Sequence, residues 1–396
     1  MQILDKRKAL AIAPLFRLAF RGFFLFGSLL AMVAVPLWVL AIHGTFNGWQ
    51  PVGGWLGWHQ HEMVFAFAGA IITGFLLTAV QTWTGRPGLR GKPLAVLIAL
   101  WLLGRFCWLL SAPLWLLIPI NLLFMLLVIV SMAKALGAVK QTRNYPIVVV
   151  LVFFLLAETL NLYGLSMENP ELQRQGALAA AWLIAGLMGL IGGRVIPFFT
   201  QKGLGRLAPA QTWPWLDWAL LTVSLLIAVV EALGWATQAH LWIGGLFLLV
   251  TVAHSVRIWN WFDSGVLQVP LLWSLYLAYA WLIVACAGMA LWHMGLLANP
   301  SPALHALTVG SIGGLILAMI ARVSLGHTGR TLTLPKGFAL AFIWLNLGAV
   351  ARVFAVGYWY MPALNIAAVF WTLAFAQYVC CYGPMLCKTR ADGHPG

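Results

Sequence analysis

The sequence predicts an all-α polytopic membrane protein of about twelve transmembrane helices, roughly 20 residues being needed for each crossing. Three observations carry that prediction. Hydrophobic residues are 62% of the 396 and charged residues 8%, against about a quarter charged in a soluble domain. The apolar residues fall into runs of membrane-spanning length, and the connections between runs are short. No soluble domain fits beside the spans, so residues 1–396 are expected to form a single transmembrane domain.

Gly, Pro and charge clusters delimit the runs in order. Lys6, Arg7 and Lys8 precede the first, near 18–43, and Arg86, Arg90 and Lys92 separate the second, 58–82, from the third, 93–111. The fourth, 114–135, is followed by Lys134, Lys140 and Arg143 and then by the fifth, 145–165. Lys202 and Arg206 stand between the sixth, 176–199, and the seventh, 213–234. The eighth and ninth, 240–260 and 268–294, lead to the tenth, 302–324, which Arg330 and Lys336 separate from the eleventh, 337–357. Lys388 and Arg390 follow the twelfth, 361–386. The alternate connections carry Arg174 and almost nothing else, so both termini are expected in the cytoplasm and even-numbered spans should run from outside to inside.

The net charge of +14 is therefore read as a topology signal. No basic tract with aromatic interleaving points to nucleic acid. Lys6-Arg7-Lys8 resembles the start of a signal peptide, but Arg17 and Arg21 interrupt the apolar stretch and no cleavage site follows, so the segment is expected to be retained. The cysteines, Cys107, Cys286, Cys380, Cys381 and Cys387, form no C-x-x-C pair and no covalent haem attachment motif.

The histidines are the informative polar residues. His43 ends the first span, His59 and His61 open the second in Trp58-His59-Gln60-His61-Glu62-Met63, His240 opens the eighth, His293 ends the ninth and His305 opens the tenth. Under the expected topology these six share the outer leaflet, as do the intramembrane charges Glu62, Glu158, Glu231, Arg105 and Arg352. Ionisable groups at membrane depth are costly unless something binds them, so a polar site near the outer face is predicted. Residues two apart on a helix point about 200° from each other, so His59 and His61 face different neighbours. Met63 shares the face of His59, as Met289 shares that of His293. Imidazole and thioether groups suit haem iron and copper. Arg105 and Arg352 are candidates either to pair with Glu62 or Glu158 or to hold propionates bidentately. Glu62 and Glu158 are the candidate proton-transfer residues.

A repeat is also visible. His61 and His305 are each followed 23 residues on by Thr-Gly-Arg, at Thr84-Gly85-Arg86 and Thr328-Gly329-Arg330, an offset of 244 residues that also matches Gly69 to Gly313. Arg194-Val195 with Thr200 matches Arg322-Val323 with Thr328 at an offset of 128. Spans 2, 6 and 10 are candidates for equivalent members of internal repeats.

On the histidine segments just quoted, together with Arg194-Val195-Ile196-Pro197-Phe198-Phe199-Thr200 and Gly326-His327, the chain resembles the NnrS family over nearly its whole length. The resemblance implies a bacterial inner-membrane protein that binds haem and copper and relieves nitrosative stress. A more distant likeness, to the catalytic subunit of haem-copper oxidases and nitric oxide reductases, implies three four-helix units with histidine ligands near the outer ends of the second and tenth helices. The sixth span lacks the histidine those enzymes use for copper, and no His-His pair follows the seventh.

The expectation is thus a haem protein whose ligands are His305 with His59 or His61, the other histidine joining His293, His240 or His43 at a copper or second haem site on the periplasmic side. Its ligand would be nitric oxide or a related small molecule, bound or reduced in the manner of a nitric oxide reductase, with protons from the outer side and an unidentified electron donor. The alternatives are a transporter of nitrogen oxides, metal complexes or haem, and a haem-based nitric oxide sensor.

Overall fold

Helix follows helix along the chain, and each begins where the sequence stops the previous one. In the computed structural model, which describes residues 6–46 and 48–394, a short helix over Lys6–Ala11 precedes twelve apolar helices. They are α1 (Ala19–Ile42), α2 (Gly54–Thr84), α3 (Lys92–Leu109), α4 (Leu114–Gly137), α5 (Tyr145–Ser166), α6 (Pro170–Leu204), α7 (Pro214–Ala232), α8 (Leu241–Trp261), α9 (Pro270–His293), α10 (Ser301–His327), α11 (Ala339–Ala355) and α12 (Tyr360–Cys387). Among the described residues no strand occurs. The protein is an all-α polytopic membrane protein.

Eleven of the helices are long and apolar enough to cross a bilayer. The exception is α11, with 12 α-helical residues and 5 in a π turn, which at about 1.5 Å per residue falls short of a hydrocarbon core about 30 Å thick. Proline stands in the first turn of α3, α5, α7, α9 and α10, where its missing N–H would have had no helical partner. Pro197 does not end α6, which continues for 35 residues and outruns the 176–199 expected of it.

Three helices contain π turns, which sequence periodicity did not reveal. In α2 the α-helix ends at His61 and a π turn covers Glu62–Ala68; in α10 it ends at His305 and a π turn covers Ala306–Gly313. Both helices then resume as α and close on a left-handed glycine, Gly85 (φ 66°) and Gly329 (φ 72°). At the 244-residue offset the two backbones thus pass through the same states in the same order. The third π turn, Ala351–Ala355, contains Arg352. By contrast α6 runs as α-helix throughout.

Contacts draw two compact units rather than three four-helix groups, because α6, α10 and α12 each contribute to both. The first comprises residues 1–177, 320–335 and 375–396; the second comprises 178–319 and 336–374. In the first, Gly74 of α2 admits Phe23 and Phe24 of α1, and Gly104 of α3 admits Asn121 of α4. In the second, Gly310 of α10 lies under Trp281 of α9, whose indole N–H donates to Asn346 of α11. Outside the spans, Arg206 forks onto Asp263 at 2.8 and 3.0 Å, hydrogen bonds that hold the Asp263 carboxyl below its ordinary range.

The closest approach joins α5 to α6. A methyl group at Gly176 would lie 2.5 Å from the Ala157 carbonyl and 2.6 Å from the Asn161 amide, backbone atoms that cannot turn aside. Gly176→Ala is expected to destabilise the protein by about 1–3 kcal/mol through overpacking, read by thermal melting in mild detergent. Gly245→Ala, where the added carbon meets nothing within 4 Å, should leave the midpoint unchanged or slightly raised.

Candidate functional site

The helix α2 begins at Gly54 behind left-handed Gly53 (φ 69°), so His59 and His61 are both helical and face different ways, as the 100° turn per residue requires. His59 stacks on Trp38 of α1 with ring centroids 5.1 Å apart. His61 is fully buried and faces α3 and α5, with Trp108 at 4.5 Å.

His61 stands between two carboxylates. Its Nδ1 lies 3.2 Å from Glu62 Oε1 and its Nε2 lies 3.5 Å from Glu158 Oε1. The other oxygen of Glu62, Oε2, is 2.8 Å from Arg105 Nε. Arg105 Nη2 donates to Asn121 Oδ1 at 2.6 Å, and the Asn121 amide donates to the Leu117 carbonyl at 2.8 Å. The surrounding groups are apolar: Trp58, Cys107, Trp108, Leu117, Ile120 and Leu165 belong to one buried cluster, and Phe65 covers His61. Water is thereby excluded and each Coulombic contact is strengthened.

Of the two readings of Arg105, the structure gives the pairing with Glu62. Asn121, which fixes that arginine, was not among the expected site residues; an amide in the middle of an apolar span was the available signal. Trp58 lies 1% exposed in the core, because α2 starts at Gly54, one turn before the expected 58, and carries the ring inward.

The remaining candidates other than His43 lie in the second unit. His305 Nδ1 is 2.8 Å from the Ser301 carbonyl, one helical turn back. A carbonyl only accepts, so Nδ1 carries the hydrogen and Nε2 the lone pair. Arg352 donates to Ser301 Oγ at 3.3 Å, which brings it beside the same turn. His240 and His293 also meet: the His240 backbone N–H donates to His293 Nδ1 at 3.2 Å. That bond leaves the ring hydrogen on Nε2, which is buried without a hydrogen-bond partner. His43 is an exposed cap of α1 and Glu231 is buried in α7.

As metal ligands these histidines differ. His305 fits, since a ring anchored through Nδ1–H to a carbonyl presents Nε2 as a preoriented donor. His61 in this arrangement does not, both nitrogens facing carboxylates, and His293 presents an N–H where a ligand needs a lone pair. Among the described residues no three His, Cys, Asp or Glu side chains gather as a metal site, so a three-ligand copper centre of the oxidase kind does not fit.

A second buried polar group joins four helices of the second unit. His254 Nδ1 is 2.5 Å from Tyr279 Oη. Arg257 Nη2 donates to Asp217 at 2.7 Å and to the Gly189 carbonyl at 3.0 Å, and its guanidinium lies 4.7 Å from the Trp261 ring centre. Gly193 is required there, because a methyl group would lie 1.8 Å from Arg257 Nη2.

Fold and site together define a polytopic helical membrane protein with a buried histidine–carboxylate–arginine network. The chain belongs to the NnrS family, whose model, described as NnrS protein, matches residues 14–390. No curated relative matches it. Membership supports a membrane protein associated with nitric oxide stress.

Removing one partner of a buried ion pair strands the other charge at a cost of about 3–5 kcal/mol. Arg105→Met is expected to show that loss in denaturant or thermal melting, and Arg105→Met with Glu62→Gln should recover most of it. A double variant no more stable than the single would mean that Arg105 serves something other than Glu62.

Proposed function

We propose that this protein is a haem-binding protein of the bacterial inner membrane that binds nitric oxide and supports its reduction, with His305 as the protein ligand to the haem. The observation that carries the reading is the His305–Ser301 hydrogen bond, which commits Nδ1 as donor and leaves Nε2 as the coordinating atom. Arg352, held at the same turn through Ser301, is the candidate to pair with a propionate. When bound, the haem supplies a redox-active iron for the small ligand. No step is assigned to copper.

The Glu62–His61–Glu158 line is suited to proton handling. A ring flanked by a carboxylate at each nitrogen can take a proton at one side and release it at the other. Arg105 holds Glu62 in place in apolar surroundings. In this reading Glu62 and Glu158 hold and pass protons from the periplasmic side, with both termini in the cytoplasm.

One observation favours a second reading, a transporter of a small nitrogen-oxide anion or metal complex. The Asp217–Arg257–His254–Tyr279 group is a polar centre separate from the His61 network, and α2 and α10 are interrupted helices of the kind that line transporter sites.

The two readings separate on an absorption spectrum and metal analysis of the full chain purified in mild detergent. Stoichiometric iron with a Soret band is expected, lost in His305→Ala and kept in His254→Ala; no Soret band in the folded wild type would leave the transporter. Glu158→Gln should keep the spectrum while slowing nitrous oxide formation from nitric oxide and an artificial reductant by about 10²–10⁴-fold, the usual worth of a general acid or base. Unchanged turnover in that variant would remove Glu158 from the proton path.

A further inference from the structure

A group of arginines at the other end of the first unit takes no part in the network around His61. Arg17 precedes α1 and Arg21 stands in its first turn, 6% and 0% exposed. Arg17 donates Nε to the Ile12 carbonyl at 2.8 Å and Nη2 to the Leu10 carbonyl at 2.7 Å. Arg21 donates Nη1 to the carbonyls of Leu386 and Lys388, at 2.8 and 2.7 Å, and so caps α12. Three nitrogens are left over: Nη1 of Arg17 and Nε and Nη2 of Arg21 are buried with no hydrogen-bond partner.

Two further cations reach the same place. Arg330 and Arg390 both bear electrostatically on Arg21, as does Arg17. The geometry of the turn explains how they arrive: left-handed Gly329 leaves space for Asp392, whose carboxyl carbon would lie 2.7 Å from an added methyl group, and the Ala391 N–H donates to the Thr328 carbonyl at 3.0 Å. The chain end thereby folds back onto Thr328-Gly329-Arg330. Asp392 is the acid paired here, and Arg390 occupies both its oxygens at 2.9 and 2.6 Å. Arg330 donates only to the Thr328 carbonyl, at 3.4 Å. Among the described residues, Arg17, Arg21 and Arg330 are therefore cations hydrogen-bonded to carbonyls and to no carboxylate.

Guanidinium donors left buried without an acceptor lose their hydration with nothing in return, and a phosphate group, with several charged oxygens matched to guanidinium forks, would relieve all of them at once. The position agrees: this end of the unit holds the start of α1 and the Arg86–Lys92 loop, which Gly91 ties to Phe16 through a 2.8 Å backbone hydrogen bond. Polar headgroups would lie at that level. We propose that Arg17, Arg21 and Arg330 form a binding site for a phosphate group, drawn from an anionic phospholipid headgroup or from soluble phosphate. Arg330 and Arg390, only partly buried, form its mouth, and rotation of these two long side chains admits the ligand.

The test uses the full chain in mild detergent, with thermal melting and native mass spectrometry against dioctanoyl-phosphatidylglycerol, dioctanoyl-phosphatidylcholine and inorganic phosphate. Saturable binding of phosphatidylglycerol, or of inorganic phosphate, is expected, with an affinity about tenfold lower in Arg330→Gln, the worth of one charge-assisted hydrogen bond. Phosphatidylglycerol binding without phosphate binding assigns the lipid source; binding of both assigns a site open to soluble phosphate. Arg21→Gln removes the cap of α12 and so tests folding as well, whereas Arg330→Gln gives up a single carbonyl contact and should melt like the wild type without probe. The proposal is overturned if neither anion is held, if phosphatidylcholine is held as tightly as phosphatidylglycerol, or if Arg17→Gln and Arg330→Gln bind as the wild type does.

Discussion

A carboxylate at membrane depth must be given a counter-charge, and in the first unit the need to satisfy Glu62 dictates the arrangement of everything near it. Glu62 takes Arg105 on one oxygen and His61 on the other. Arg105 must then be held, which Asn121 does, and Asn121 can approach only because position 104 has no side chain, its oxygen lying 3.0 Å from where a methyl group would be. Glu158 is brought by α5 to within 3.5 Å of the second nitrogen of His61. Such a network is unfavourable as a stabilising device when compared with apolar packing, which is the physical ground for the functional role proposed for it.

The π turns bear on the same question. A π turn inserts one residue into an α-helix and shifts the faces that follow, and such turns are concentrated at functional sites. In α2 and α10 the insertion begins immediately after the histidine, while in α11 it carries Arg352. One consequence in α2 is that adjacent residues, His61 and Glu62, engage each other while Glu62 still reaches Arg105. Another, in α10, is that Gly310 passes under Trp281 and Gly313 under Trp371. The glycines serve close packing where the π turn widens and underwinds the helix, so their spacing in the sequence follows from the backbone and is not merely membrane composition.

The fold class was legible because it rests on composition and run length, quantities that a bilayer reads directly. The polar residues were legible for the same reason: Glu62, Arg105 and Glu158 stand out in apolar runs, and the structure joins those three around His61. Their partners were harder to name. Which oxygen Arg105 meets depends on the rotation of α3 against α2 and α4, and in a helix apolar on all sides the hydrophobic pattern carries no rotational information. Asn121 and Ser301 were missed on that account, and the π turns because an i to i+5 bond leaves no mark in an apolar run. The Asp217–Arg257 pair was missed for a different reason: each residue lies near a helix end, where a charge is ordinarily explained by snorkelling to water, yet Arg257 is 2% exposed.

The contrast between His61 and His305 has a chemical logic. A histidine that ligates a metal through Nε2 uses its only lone pair and must keep its hydrogen on Nδ1, so it cannot also carry protons. In the proposed reading His305, with Nδ1 committed to the Ser301 carbonyl, takes the first task. A histidine that carries protons needs an acceptor at each nitrogen, and the same reading gives the second to His61, between Glu62 and Glu158. Two sequence segments that look alike at the 244-residue offset have thus diverged in the group that faces the ring, a backbone carbonyl in one and carboxylates in the other. The divergence follows from one substitution of neighbour: Glu62 follows His61, whereas Ala306 follows His305. The ring of His305 turns instead to the carbonyl one helical turn back, which fixes its hydrogen on Nδ1.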